Sequence, residues 1–155
     1  MPHLGMPPKI HMCCQNIPVL SVSPTPGDHA ALEALLPKPQ WKVYRTESVT
    51  SALSLLRHIE PIPLVVCERD LLRATWQDLL IETMSLPDRP FFIVASRFAD
   101  DYLWAEALNL GAYDVLGKPF DVTELTRSLS LAWQHSEPRS EITRRLSIVT
   151  DMAVA

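Results

Sequence analysis

Short apolar runs alternate along this chain with stretches whose apolar positions recur every three or four residues. Ile17 to Val22, Leu64-Val65-Val66-Cys67 and Phe91-Phe92-Ile93-Val94-Ala95 have the length and composition of buried strands. Trp41 to Tyr44 alternates instead, which predicts a half-covered strand at a sheet edge. Tyr113 to Leu116 completes a set of five.

The helical stretches between them carry their own start and stop signals. Thr25-Pro26-Gly27-Asp28 predicts a helix start, with Thr25 as cap, Pro26 in the first turn and Asp28 at the positive end. Leu32, Leu35 and Leu36 form its apolar face before Pro37. Ser48 opens a second helix with Leu53, Leu55, Leu56 and Ile59 inside, and Pro61 closes it. A third is predicted over about Thr75 to Leu86, with Leu79, Leu80 and Met84 inward. Asp100 or Asp101 caps a fourth, which carries Leu103, Ala107, Leu108 and Leu110 and ends at Gly111 in a left-handed conformation. Asp121 and Glu124 make a capping-box-like start for the last helix, faced by Leu125, Leu129, Ala132 and Trp133. Strict alternation with two-sided burial of the inner strands predicts a parallel sheet, and right-handed crossovers make it a doubly wound, three-layer α/β sandwich.

Residues 1–16 are Pro-rich and aperiodic and read as a loose arm. The patterned domain covers 17–135. In the tail, 136–155, Ile142, Leu146, Ile148 and Val149 fit either a continued helix or a packed extension, and Arg139, Arg144 and Arg145 read as a solvated charge group.

The 155 residues suit one domain with a real core, and 47% apolar with 21% charged residues is ordinary for a globular protein. A net charge of −4 gives no general attraction to nucleic acid or anionic membranes. With no apolar run of membrane-spanning length and no signal-peptide pattern in Met1 to Gln15, a cytoplasmic location is expected. Three cysteines, Cys13, Cys14 and Cys67, lack the spacing of a disulfide framework. His11 beside Cys13 and Cys14 lacks the further ligands of a tetrahedral metal site, so no metal centre is expected.

In doubly wound sheets, ligands bind outside the carboxyl ends of the strands, so the residues that follow each strand matter most. Ala105-Glu106-Ala107-Leu108-Asn109-Leu110-Gly111-Ala112-Tyr113-Asp114-Val115-Leu116-Gly117-Lys118-Pro119-Phe120 resembles the receiver domain of response regulators. The shared pattern is a helix ending in Gly-Ala, a short strand, then Lys-Pro-Phe, and with the strand order the resemblance covers about Ile17 to His135. It implies a flavodoxin-like sheet of order 2-1-3-4-5 and a role in two-component or phosphorelay signalling. Receivers accept a phosphoryl group from a histidine kinase on an Asp that ends the third strand. Two acids after the first strand hold Mg²⁺, and a hydroxyl and a Lys after the fourth and fifth bind the phosphoryl oxygens.

The resemblance assigns Lys118 and Pro119 to the Lys-Pro pair and Ser96 to the hydroxyl. The acids are missing: Ser23 and Pro24 stand in their place, and Asp28 is read as supporting the helix start. Glu68 stands where the phosphoacceptor is expected, within reach of Lys118, and Asp70 is the rival acceptor after a two-residue shift. Val115 replaces the aromatic that commonly lies three residues before the lysine. Tyr113 is expected on the same strand face as Val115, with packing as its main role. Phe98, Tyr102 and Trp104 lie close together near the fourth helix, and two of the three are expected to pack on the sheet. The family often binds partners through helix 4, strand 5 and helix 5, which makes this region the expected site for a protein partner or self-association.

The expectation is therefore a non-enzymatic signalling module, a pseudo-receiver that works without phosphorylation or cofactor through protein interaction. The first alternative is a true phosphoacceptor that uses Asp70, Mg²⁺ and an unusual metal site. A flavin or other small-molecule binder is the second, although Ser23-Pro24-Thr25-Pro26-Gly27 is no Gly-rich phosphate loop and no nucleophile–His–acid set can be assigned from spacing. DNA binding is disfavoured because the residues after His135 are too few for an ordinary effector domain.

Overall fold

The computed structural model describes residues 16–58 and 61–136. The leader with His11, Cys13 and Cys14, Ile59, expected on the second helix, and the tail beyond 136 therefore lie outside the described residues. The elements run β1 (Ile17–Val22), α1 (Pro26–Leu35), β2 (Trp41–Thr46), α2 (Val49–His58), β3 (Leu64–Glu68), α3 (Trp76–Met84), β4 (Phe91–Ser96), α4 (Asp101–Leu110) and β5 (Asp114–Gly117). A last helix, α5, occupies 122–136.

All strand pairs are parallel, in the order β2-β1-β3-β4-β5. The alternating strand β2 is at the edge, and the continuous apolar strands β1, β3 and β4 are interior, as two-sided burial requires. Alternate side chains of each strand feed two separate cores. Leu20, Val22, Val65, Cys67, Phe92, Val94 and Val115 pack beneath α2, α3 and α4. Ile17, Val19, Leu64, Val66, Ile93 and Leu116 pack beneath α1 and α5, against Leu32, Leu125, Leu129 and Ala132. Burial also raises the pKa of the Cys67 thiol, with the Glu68 charge adding to it, so this cysteine is an inert core residue.

Helix ends follow their local chemistry, with some departures. Thr75 and Asp78 make a reciprocal capping box on α3, and Asp100 caps α4 through the Leu103 amide. Asp121 Oδ2 accepts the Glu124 N–H at 2.8 Å at the start of α5. Gly111 ends α4 at φ 107°. Thr25, expected to cap α1, makes no side-chain cap bond; its own N–H goes to Ser23 Oγ at 3.1 Å. The third helix ends at Met84 rather than Leu86. Met84, expected inside, is 36% exposed as the last residue of α3. Trp76 takes up core volume instead.

Gly111 and Gly27 give opposite expectations. A Cβ at Gly111 would lie 2.5 Å from Met84 Cε on a left-handed backbone, whereas one at Gly27, in the first turn of α1, meets only Thr25 Cγ2 at 3.9 Å. Urea denaturation is expected to show Gly111→Ala destabilising by more than about 1 kcal/mol and Gly27→Ala stabilising by about 0.4–1 kcal/mol.

Candidate functional site

Because both faces of the sheet are covered, polar side chains gather at the carboxyl ends of the strands. Four loops meet there. Ser23 follows β1, Glu68 ends β3, Ser96 ends β4 and Lys118 follows β5, while the first turn of α1 brings in Asp28.

Lys118 is the hub. Its ammonium donates to Asp28 Oδ2 at 2.8 Å and forms an ion pair with Glu68 Oε2. The three side chains are only 10%, 19% and 9% exposed, respectively. Ser23 Oγ donates to the same Asp28 oxygen at 2.6 Å. Glu68 Oε1 accepts the Asp70 backbone N–H at 3.1 Å. Burial by itself would raise the Asp28 pKa, but the hydrogen bonds from Lys118 and Ser23 outweigh it and hold the carboxyl below its ordinary value. Burial likewise opposes the Lys118 charge, yet the two carboxylates outweigh it and raise its pKa. Two carboxylates and one ammonium therefore sit together with a net charge of −1.

A second bonded set braces the β1–α1 loop. His29 is buried, with Nδ1 2.7 Å from Ser21 Oγ and Nε2 3.0 Å from the Ser23 carbonyl oxygen. With Nε2 as donor and Nδ1 as acceptor, the ring joins β1 to the loop that carries Ser23. Ser21 is also buried, so this Ser–His contact is closed to substrate and its role is structural.

The residues singled out in the sequence are placed as follows. Ser96 is fully buried; its Oγ accepts the Phe98 N–H at 3.0 Å and its carbonyl accepts the Lys118 N–H at 2.9 Å. The Lys118–Pro119 bond is cis. Ser23 is in the pocket through its hydroxyl, and Pro24 continues its loop toward Thr25. Asp70 is exposed and reaches the site through its backbone N–H.

Phe98, Tyr102 and Trp104 are 70%, 85% and 51% exposed, so the expectation that two of them pack on the sheet fails. Leu103 and Ala107 fill the inward face of α4, and the helix turns its aromatics outward. Tyr113 and Val115 do not share a face either. Strand β5 begins at Asp114, so alternation does not extend back to Tyr113. Val115 is buried on the α2–α4 side. Tyr113 packs on the other side, edge-to-face with Phe91 at 5.2 Å between ring centroids, with its hydroxyl 3.1 Å from His135 Nδ1.

Asp28 is the residue that sequence reasoning undervalued. Its place in the first turn of α1, near the expected metal end of the pocket, was the available signal. The hydroxyl of Ser23 and the ring of His29 gave none, since their partners depend on how the loop folds.

No family model matches the chain, and no curated protein matches it. Solved structures do. The signal receiver domain of a candidate Luxo repressor protein from Vibrio parahaemolyticus superposes with a TM-score of 0.74 at 17% identity, over 83% of this chain and 98% of its own. The signal receiver domain of an HD domain-containing protein from Pseudomonas fluorescens Pf-5 gives 0.71 at 26% identity, over 80% and 99%. A response regulator from Thermotoga maritima gives 0.67 at 22% identity, over 76% and 98%. The fold is that of a response-regulator receiver domain.

Receiver chemistry uses Mg²⁺, and the side chains present do not suit it. Ser23 and Pro24 bring no carboxylate, and the carboxylates of Asp28 and Glu68 are both already engaged by the Lys118 ammonium. A hard cation requires near-octahedral oxygen ligation at about 2.0–2.1 Å, which this arrangement does not offer.

The ion network has a definite pH signature. The Asp28 pKa lies below its ordinary 3.8, so its stabilising contribution is complete above that value and lost as pH falls through the depressed pKa. The Lys118 pKa lies above its ordinary 10.5, so its contribution is complete below that value and lost as pH rises through the raised pKa. Urea denaturation across pH is expected to show both limbs in the wild type and a flattened acid limb in Asp28→Asn.

Proposed function

We propose that this chain is a receiver-like signalling module of a two-component system that works without phosphorylation, through contact with a protein partner. The observation that carries this reading is the Glu68–Lys118–Asp28 network. The lysine that binds phosphoryl oxygens in receivers is bonded here to two carboxylates of its own chain. Glu68 also puts a negative charge near the place of an aspartyl phosphate, although one carboxylate imitates poorly a phosphoryl group with up to two charges. A pocket held in one arrangement by its own charges supports a constitutive, partly active-like state.

In this reading the roles divide by position. Glu68 and Lys118 set the charge of the pocket, with Ser23 and Ser96 anchoring the loops beside them. Output passes through α4, β5 and α5. There a groove of about 1040 Å³ is lined by Trp104, Tyr113, Val115, Asp121, Glu124 and Leu131. Tyr102 and Phe98 extend the exposed aromatic surface beside it. Exposed aromatics next to a groove are the anchors that protein interfaces favour. A second copy of the chain or another protein, including a histidine kinase, fits this surface in kind. The module carries no reaction of its own, and a cytoplasmic setting goes with it. No helix among the described residues is long and apolar enough to cross a membrane.

A second reading has one observation in its favour. A mostly apolar groove of about 720 Å³ beside Lys118, between α1 and Phe120, is large enough for a small molecule. A yellow purified protein with flavin absorbance would select that reading.

Two experiments test the main proposal. Incubation with acetyl phosphate and Mg²⁺ followed by intact mass measurement is expected to leave the mass unchanged. A phosphorylated species that disappears in Asp70→Asn would establish Asp70 as acceptor and overturn the proposal. For the surface, Tyr102→Ala combined with Trp104→Ala is expected to weaken self-association or partner capture, read by sedimentation or binding. Each change should alter folding stability by no more than about 0.5 kcal/mol.

A further inference from the structure

We propose that the Lys118 ammonium stands in this pocket where a divalent cation would otherwise sit, so that the intact chain excludes Mg²⁺ and loss of that one positive charge creates a metal site. This deepens the functional reading above and rests on its premise of a pocket that works without metal.

Asp28 comes from α1 and Glu68 from the end of β3, yet one oxygen of each contacts the same nitrogen. Those oxygens therefore already surround a single cation. The cation is an ammonium, which donates hydrogen bonds and offers no lone pair while protonated. Its raised pKa keeps it protonated through the neutral range. Ser23 Oγ, bonded to Asp28 Oδ2, adds a third oxygen beside the pair. All the donors are hard oxygens, the set that Mg²⁺ and Mn²⁺ prefer over softer metals.

Charge makes the site conditional. With Lys118 in place the triad carries −1, and a divalent ion must displace the ammonium or share its oxygens at close range. Asp28 and Glu68 are at most 19% exposed around Lys118, and loss of its charge would leave these two carboxylates facing each other. Uncompensated charges with so little water near them are costly, and either proton uptake or a cation relieves the cost. Above the carboxylate pKa range, in the presence of a divalent ion, the cation is the available relief. The lost first-strand acids and the retained lysine then form one feature. Asp28 enters from one helical turn further along and pairs with the lysine, so the lysine serves as the counter-ion.

The test is a Mn²⁺ titration of the full chain at neutral pH, followed by paramagnetic broadening of backbone amide signals. The wild type is expected to show no localised broadening. Lys118→Met, one atom shorter than lysine and uncharged, is expected to show broadening centred on Ser23, Asp28 and Asp70. Its Mn²⁺ affinity should exceed that of the wild type by at least about tenfold. Excess Mg²⁺ should reverse the broadening, and adding Asp28→Asn should abolish it. Lys118→Gln, neutral but hydrogen-bonding, is the second variant if the methionine chain does not fold. Localised broadening in the wild type overturns the proposal, as does a folded Lys118 variant that binds no Mn²⁺. A wild-type chain that binds Mn²⁺ yet takes no phosphoryl group overturns this inference alone. One that is phosphorylated overturns the functional reading itself.

Discussion

The ammonium of Lys118 lies between the carboxylates of Asp28 and Glu68, and the loops at the carboxyl end of the sheet are arranged around that contact. Each partner comes from a different element, so the contact ties α1, β3 and the loop after β5 together. Losing the Lys118 charge would leave two buried carboxylates unmatched, and breaking such a network costs more than making it gains. The bonds of Ser23 and Ser96 hold the loops at the distances the ion network requires.

The same contact underlies the phosphorylation-independent reading proposed above. A phosphoryl switch needs a free acceptor, a metal to neutralise charge and a lysine ready to bind the product. Here the lysine is committed, and the residues after β1 supply a hydroxyl and a proline instead of acids. Under the proposed reading, charge neutralisation is internal to the pocket and does not await phosphorylation. Helix α4 buries Leu103 and Ala107 and leaves Tyr102 and Trp104 to solvent.

The architecture was legible in the sequence because it rests on local regularities. Continuous apolar runs marked β1, β3 and β4, alternation marked the edge strand, and Gly111 marked the end of α4. Errors came where regularity stops. Met84 fits the helical period but is the last residue of its helix and 36% exposed. Tyr113 fits the strand period but precedes the strand. Thr25 had the chemistry of a cap, yet Ser23 Oγ claimed its backbone N–H.

By itself, then, the sequence determined the class of fold and the order of elements, and it placed Ser23 and Pro24 rather than acids after the first strand. It also put Glu68, Ser96 and Lys118 at strand ends, through the spacing of the motifs. Tertiary structure alone decided that Asp28 joins them. Asp28 and Lys118 are 90 residues apart in the chain and meet because the parallel crossovers bring the start of α1 beside the end of β5. The outward turn of the aromatics on α4 was decided the same way, because a helix with apolar residues on more than one side can bury only the face that the sheet accepts.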